Sequence, residues 1–81
     1  MEILLSNQAE KALDKIQSKQ QDKIIEAMQG LLFEPPRGDI KKLRGKINEY
    51  RLRVGNYRVI FSYISENISI LDIGVRGGIY K

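Results

Sequence analysis

Residues 50–61, YRLRVGNYRVIF, decide which fold this sequence predicts. Two runs of alternating apolar and polar residues flank Gly55-Asn56, a pattern typical of two antiparallel strands joined by a two-residue turn. Because side chains alternate along a strand, the apolar residues of this hairpin share one face. They are Tyr50, Leu52, Val54, Tyr57, Val59 and Phe61. The opposite face carries Arg51, Arg53 and Arg58.

The arginine face of this hairpin indicates a ligand. The two-residue turn places Arg53 directly opposite Arg58, with Arg51 two residues away on the first strand. Like charges in directly opposite positions destabilise a sheet. A planar guanidinium matches two phosphate or carboxylate oxygens at once, so we expect an anion to bind this face.

Charge is unevenly divided along the 81 residues, which are expected to form one domain, residues 1–81. Residues 1–36 carry a net charge of −2 and residues 37–81 a net charge of +6, which gives +4 in total. A basic half on a small domain favours a polyanionic partner, either nucleic acid or an acidic peptide. A solvated basic surface is the alternative.

Histidine and cysteine are both absent from the sequence. Disulfides and thiolate chemistry are therefore excluded, and any catalysis must use carboxylates, Tyr, Lys, Arg or Ser. A chain without cysteine fits a reducing compartment, and no apolar run approaches the ~20 residues of a membrane span. We expect a cytoplasmic protein that makes no membrane contact.

The spacing of the apolar residues changes from helical to alternating near Pro35-Pro36. The predicted elements are a strand at 2–5, a helix at 9–16, a helix from Gln20 to Phe33, a candidate short strand at Ile40–Leu43, and strands at Tyr50–Val54, Tyr57–Tyr63 and Ile68–Ile73. Ser18–Gln21 is expected to form the turn between the helices, and Gly74 to begin a flexible end.

The predicted order is β-α-α-β-β-β, with the candidate strand left uncounted. This order indicates the α+β class, with a helical hairpin packed on one face of a mostly antiparallel sheet. The apolar face of residues 50–61 should meet the helices. The arginine face should be open, because so short a chain has no third layer to cover it.

The chain resembles the RelE/ParE superfamily of toxin–antitoxin toxins over essentially its whole length. The segments that carry the likeness are KLRG at 42–45, YRLRVGNYRVIF at 50–61 and IGVRGGIY at 73–80. The resemblance implies a microbial toxin that is neutralised by a cognate antitoxin. A partly disordered acidic segment of that antitoxin would cover the basic sheet.

The two branches of this superfamily act differently. A RelE-type toxin enters the ribosomal A site and cuts mRNA without a metal or cofactor: the ribose 2′-hydroxyl attacks the adjacent phosphate and the 5′-oxygen leaves. A ParE-type toxin inhibits DNA gyrase and cleaves nothing. The resemblance implies an endoribonuclease of the RelE type (an mRNA interferase). A ParE-like gyrase inhibitor is the alternative, and a module without toxicity is a third.

The resemblance also assigns a catalytic site. Arg51 and Arg53 stand where RelE toxins have two lysines on one strand. Arg58 and Arg76 match two RelE arginines, and Tyr80 matches its C-terminal tyrosine. Arginine keeps the positive charge but does not transfer a proton at neutral pH. The arginines are therefore expected to hold the RNA and the charge that develops on phosphorus. Ordinary solvated charge on a strand is the alternative.

Two residues are candidates for the base that takes the 2′-hydroxyl proton. Tyr80 could serve as that base or could stack on a nucleobase. Glu49 is the weaker candidate and could instead be a turn residue. Val75 stands where many relatives have a histidine. A structural alternative for Arg58 is a salt bridge to Asp72 or Glu49.

A basic stretch precedes the hairpin in the sequence. Its members are Lys41, Lys42, Arg44 and Lys46. Cations in such a stretch suit contacts to the backbone of mRNA or ribosomal RNA, which position a protein without reading the sequence. A solvated surface is again the alternative.

Overall fold

Five strands and two helices make up residues 1–75, the part of the chain that the computed structural model describes. The elements are β1 (Ile3–Leu5), α1 (Asn7–Asp14), α2 (Ser18–Gln29) with a 3₁₀ turn at Gly30–Leu32, β2 (Asp39–Lys42), β3 (Glu49–Val54), β4 (Tyr57–Ile64) and β5 (Asn67–Val75). Neither helix in this range is long and apolar enough to cross a membrane.

The strands form one sheet in the order β1-β5-β4-β3-β2. β1 runs parallel to β5, and the other neighbouring pairs are antiparallel. The predicted α+β class and mostly antiparallel sheet are confirmed. The candidate strand at Ile40–Leu43 forms as β2, one residue earlier, so four strands follow the helices rather than the three of the predicted order.

The predicted register of the β3–β4 hairpin is confirmed. The opposite pairs are Val54–Tyr57, Arg53–Arg58, Leu52–Val59 and Arg51–Ile60. Gly55 adopts a φ of 58°, which suits a glycine in a tight turn between strands. This register holds the apolar residues on one face and the arginines on the other.

The helices cover the apolar face of the sheet, as predicted. Leu52, Val59 and Phe61 are at most 1% exposed, and they belong to one core cluster with Ile24 and Met28 of α2. α1 packs against β5 and β1, whereas α2 packs against β3. The helical layer is therefore fixed by the same side chains that fix the hairpin register.

The bounds of the helices confirm the helical hairpin and correct one detail of the prediction, the position of the turn between the helices. Ser6 caps α1, because its Oγ accepts a hydrogen bond from the Ala9 amide at 3.0 Å. Ser18–Gln21 does not form the interhelical turn; it is the first turn of α2. Gln21 Nε2 donates to the carbonyl of Leu13 at 2.9 Å and so ties the two helices together.

Strand β5 contains a β-bulge. Ile60 pairs with Asp72, but the next residue of β4, Phe61, pairs with Ile70, which leaves Leu71 as the extra residue. The bulge reverses the alternation along β5, so Ile73 enters the core and Asp72 lies on the arginine face. β5 then continues to Val75, so the prediction that Gly74 begins a flexible end is wrong.

Gly38, which directly precedes β2, packs closely against the core residue Leu52. Its φ is 127°, and a Cβ added there would lie 2.7 Å from Cδ1 of the buried Leu52. Gly38→Ala should lower the free energy of unfolding by about 2–4 kcal/mol, through backbone strain and overpacking together. Urea denaturation measures this loss.

Gly45→Ala is the matched control for that substitution. Gly45 also has a positive φ, 76°, but nothing lies within 4 Å of its added Cβ. The loss there should be about 1–2 kcal/mol, from the left-handed backbone alone. Equal losses at the two positions would contradict the close contact between Gly38 and Leu52.

Candidate functional site

A basic cleft opens on the face of the sheet that the helices leave uncovered. Its volume is about 640 Å³, and it is lined by Lys41, Lys42, Leu43, Arg44, Arg51, Arg53 and Arg58. Strand β2, the residues that follow it and the β3–β4 hairpin supply these side chains. The fold therefore brings together the hairpin arginines and three of the four residues of the predicted basic stretch. Lys46, the fourth, lines an adjoining hollow that shares Lys42, Leu43 and Arg44 with the cleft.

The floor of this face is less open than the sequence predicts. Ile60 is 2% exposed and Ser62 6% exposed, although both lie on the arginine face, and the Arg51 side chain is only 13% exposed. The aliphatic stems of Arg51 and Arg58 stand beside Ile60 in the sheet, and such stems bury apolar surface while their charged ends stay accessible. In residues 1–75 no third layer covers this face, as predicted, but the arginine side chains themselves bury the residues that lie between them.

Two guanidinium nitrogens in the cleft have no hydrogen-bond acceptor within the described part of the chain. The Nε atoms of Arg51 and Arg58 are buried and unpaired among the residues that the structure describes. An unsatisfied buried donor costs about 1–3 kcal/mol or more when it is charged, and most buried donors in folded proteins are paired. The exceptions mark places where a water molecule, an ion or a ligand supplies the acceptor. Both unpaired donors belong to residues that line the same cleft.

Three carboxylates, those of Asp39, Glu49 and Asp72, share the face with these arginines, but they form few ion pairs with them in residues 1–75. Within residues 1–75, the one salt bridge joins Arg51 Nη2 to Asp39 Oδ1 at 3.5 Å, and the Asp39 side chain is 59% exposed. A long, solvent-exposed pair of this kind contributes little. In the same range Arg58 forms no salt bridge to Asp72 or Glu49, the structural alternative that the sequence left open. The six cations that line the cleft therefore remain available to an anion.

Of the two candidate bases predicted from the sequence, only Glu49 lies in the described part of the chain. Glu49 is the first residue of β3, opposite Ser62 on the arginine face, so it is a strand residue and not a turn residue. Its side chain does not line the cleft, although its carbonyl accepts a hydrogen bond from the Leu43 amide at 2.9 Å. Arg76 and Tyr80 lie outside the described residues, and their roles stay predictions.

Asp72 is a residue of this face that sequence reasoning placed only as a partner for Arg58. Strict alternation from Ile68 and Ile70 puts residue 72 among the core positions, and the bulge at Leu71 turns it to the arginine face instead. One signal for the bulge is present in the sequence. A charged residue at an expected core position inside a β-branched run is out of pattern, and a bulge resolves the conflict.

Chemically, the cleft can bind phosphate and stabilise negative charge. Arginine is always charged and presents its donors in a planar fork that matches phosphate oxygens. It cannot serve as a proton-transfer group, because its pKa lies far above neutrality. The described part of the chain holds no group of three or more His, Cys, Asp or Glu side chains that could bind a metal ion.

Comparison with known proteins decides the family. The model of the family described as "ParE toxin of type II toxin-antitoxin system, parDE" matches residues 3–80. The chain belongs to this toxin family. The match confirms the predicted RelE/ParE superfamily and makes the chain a toxin of a toxin–antitoxin system. A comparison with curated protein sequences found no match.

Solved structures of RelE toxins are similar to this toxin over nearly its whole length. RelE of the RelB–RelE complex from Pyrococcus horikoshii is 32% identical, with a TM-score of 0.77, 95% of this chain covered and 96% of that chain. The Methanococcus jannaschii RelB–RelE antitoxin–toxin complex gives 26% identity and a TM-score of 0.81, with 96% of this chain and 95% of that chain covered. Isolated Escherichia coli RelE shares the fold, with 24% identity and a TM-score of 0.77. The match covers 96% of this chain and 88% of that chain.

Removing one cleft charge should stabilise the free toxin. Arg53 is exposed and lies between Arg58 on β4 and Asp39 on β2, and within residues 1–75 it forms no salt bridge with Asp39, so Arg53→Gln relieves a like-charge pair without breaking an ion pair. We expect the free energy of unfolding to rise by about 0.2–1 kcal/mol at low ionic strength. The gain should shrink in about 1 M salt, where the Debye length is about 3 Å. Urea denaturation at the two salt concentrations measures both effects.

Lys19→Gln on α2 is the matched control, because it removes an exposed cation far along the chain from the cleft. Its effect on stability should be smaller than that of Arg53→Gln. A loss of stability in Arg53→Gln, or a gain that salt does not reduce, would contradict repulsion across the cleft.

Proposed function

We propose that this toxin is a ribosome-dependent endoribonuclease that cuts mRNA in the A site. The observation that carries the proposal is the cleft in which Arg51 and Arg58 each hold a buried Nε that has no acceptor among residues 1–75. An RNA phosphate supplies acceptors for both donors, and its negative charge matches the six surrounding cations. The ribosome supplies the mRNA in an extended form that reaches the sheet.

The reaction proceeds by attack of the ribose 2′-hydroxyl on the adjacent phosphate, without a metal. Negative charge grows on the phosphate oxygens as the new bond forms, and fixed donors aimed at that charge lower the barrier. Arg51 and Arg58 hold the oxygens, and Arg53 adds charge at the exposed rim. Arg76 and Tyr80 join this site on the strength of the family pattern, Tyr80 as the proton acceptor or as a stacking ring. Lys41, Lys42, Arg44 and Lys46 contact the flanking RNA backbone.

A cognate antitoxin is the expected protein partner. The Pyrococcus horikoshii and Methanococcus jannaschii structures are complexes of a RelE toxin with a RelB antitoxin. An acidic antitoxin segment that orders on binding offers carboxylates to the same guanidinium groups and so excludes RNA. Toxin, antitoxin and ribosome then meet in the cytoplasm.

Inhibition of DNA gyrase is the second candidate function. The description of the matched family favours it, since that family is the ParE toxin of parDE systems. The cleft lining favours it too. Among the described residues, the charged side chains that line the cleft are all lysine or arginine, so the lining includes no carboxylate or histidine to act as a base. If the protein has this function, the arginines bind a protein partner and no bond is cleaved.

Ribosomes programmed with a defined mRNA separate the two functions. With purified toxin and no added metal beyond that of the ribosome buffer, primer extension should locate cuts in the A-site codon. The upstream product should end in a 2′,3′-cyclic or 3′-phosphate. Arg58→Ala should cut at least about 10²-fold more slowly, by analogy with loss of one donor to a developing charge.

Arg37→Ala is the matched control for Arg58→Ala. Arg37 is an exposed arginine outside the cleft, with its guanidinium 4.2 Å from the centre of the Phe33 ring. Its removal should leave cleavage close to the wild-type rate. Intact mRNA together with trapped gyrase–DNA complexes would reject the nuclease in favour of the second function.

A further inference from the structure

Within residues 1–75, no carboxylate that could take a proton from the attacking hydroxyl lines the cleft. Its charged lining residues are arginines and lysines, and arginine does not give up its proton near neutrality. The following inference rests on the proposed nuclease function and deepens it. We propose that Asp72 is the catalytic base that accepts the 2′-hydroxyl proton, which leaves Tyr80 the stacking role.

The bulge in β5 is the first observation behind this assignment. Without the extra residue Leu71, the alternation that buries Ile68 and Ile70 would also direct Asp72 into the core. With it, Asp72 pairs with Ile60 on the arginine face, and Ile73 fills the core position at 3% exposure. Bulges are over-represented next to active sites, where they re-aim a side chain. Here the re-aimed side chain is a carboxylate.

The position of Asp72 relative to Arg58 is the second observation. Arg58 pairs with Gly74 and Ile60 pairs with Asp72, so Asp72 is the diagonal neighbour of Arg58 on the same face. Diagonal neighbours lie about 7–8 Å apart in an antiparallel pair, within reach of a nucleotide held between them. Gly74 has no side chain, so no side chain of β5 stands directly opposite Arg58 beside the carboxylate.

The contacts of the Asp72 carboxylate suit a base. Its Oδ1 accepts a hydrogen bond from the Ile73 amide at 2.9 Å, which fixes the orientation of the group. In residues 1–75 no lysine or arginine nitrogen forms a salt bridge with it. An ionised carboxylate in this state is an acceptor only, and its second oxygen can take the proton.

The other carboxylates of this face are placed less favourably. Asp39 is engaged with Arg51 and is 59% exposed. Glu49 lies four residues from Arg53 along β3, and its partner Ser62 lies four residues from Arg58 along β4. At about 3.4 Å per residue, Glu49 is therefore about 14 Å from the Arg53–Arg58 pair, although it lies about 7 Å from Arg51. Asp72 is placed near both phosphate-binding arginines, because it is the diagonal neighbour of Arg58 and shares a cross-strand row with Ile60 and Arg51. Like Glu49, Asp72 does not line the cleft itself, but it is the carboxylate that the sheet brings next to Arg58.

The chemical step balances with these groups. The 2′-oxygen forms a bond to phosphorus as the bond from phosphorus to the 5′-oxygen breaks. The 2′-hydroxyl proton passes to the Asp72 carboxylate, and the leaving 5′-oxygen takes a proton from solvent water. The products are a 2′,3′-cyclic phosphate and a 5′-hydroxyl, and no oxidation or reduction occurs.

Asp72→Asn tests the assignment in the ribosome assay under single-turnover conditions. The amide oxygen can still accept from the Ile73 amide, so the fold should be kept, and circular dichroism and thermal melting check this. We expect the cleavage rate to fall by about 10²–10⁴-fold, the range for loss of a general base. Ribosome binding should be undiminished, because the substitution removes a negative charge.

The pH dependence separates a base from a structural residue. With Asp72→Asn, hydroxide must take the proton, so the residual rate should rise about tenfold per pH unit between about pH 6.5 and 8.5. The wild-type rate should rise much less over the same range. Asp72→Glu retains a carboxylate one methylene longer and should recover at least about a tenth of the wild-type rate. It also serves as the second variant if Asp72→Asn does not fold.

Asp22→Asn is the matched control, since it makes the same chemical change on the exposed surface of α2. Wild-type cleavage by Asp72→Asn, or a Glu49→Gln variant that alone abolishes cutting, would overturn Asp72 as the base while the nuclease function stands. Equal losses in Asp72→Asn and a folded Asp72→Glu would also overturn it. Absence of cutting by the wild-type toxin would reject the proposed function itself.

Discussion

The pairing of β3 with β4 is the constraint on which the rest of this molecule depends. A two-residue turn at Gly55-Asn56 sets that pairing, and a slip of one residue would exchange the two faces of the hairpin. Leu52, Val59 and Phe61 would then lose the helices that bury them, and the arginines would enter the core. Core and cleft therefore arise from one register, so the protein cannot form its apolar layer without also assembling its cationic one.

The cationic layer makes the free toxin less favourable than its bound forms. Arg53 faces Arg58 directly, and the Nε atoms of Arg51 and Arg58 are buried without an acceptor in the described part of the chain. Both features cost free energy in the absence of an anion. Any partner that binds the folded state supplies acceptors and stabilises it by mass action. Under the proposed function, an acidic antitoxin segment and an RNA phosphate would compete for the same guanidinium groups, so one surface would serve both neutralisation and activity.

Sequence reasoning predicted the hairpin register and the arginine cluster because a two-residue turn leaves no freedom in the pairing. It was less successful with Ser18–Gln21, since polar residues are equally suited to a turn and to the first turn of a helix. The position of Asp72 on the arginine face was not predicted, because strict alternation contains no information about an inserted residue such as Leu71. The buried Nε atoms and the grouping of Lys41, Lys42 and Arg44 with the hairpin arginines depend on side-chain packing, which no pattern in the sequence specifies.

The most direct test of the central claim is to observe the two guanidinium groups themselves. The ¹⁵N NMR signals of the arginine Nε–H groups can be followed while the toxin is titrated with a short RNA whose ribose 2′-oxygens are methylated and which therefore cannot be cut. If the two Nε–H groups bind RNA phosphate, the Arg51 and Arg58 signals should shift and exchange more slowly with solvent, while that of Arg37, stacked on Phe33, should stay unchanged. Unchanged Arg51 and Arg58 signals at an RNA concentration that shifts other residues would contradict this binding.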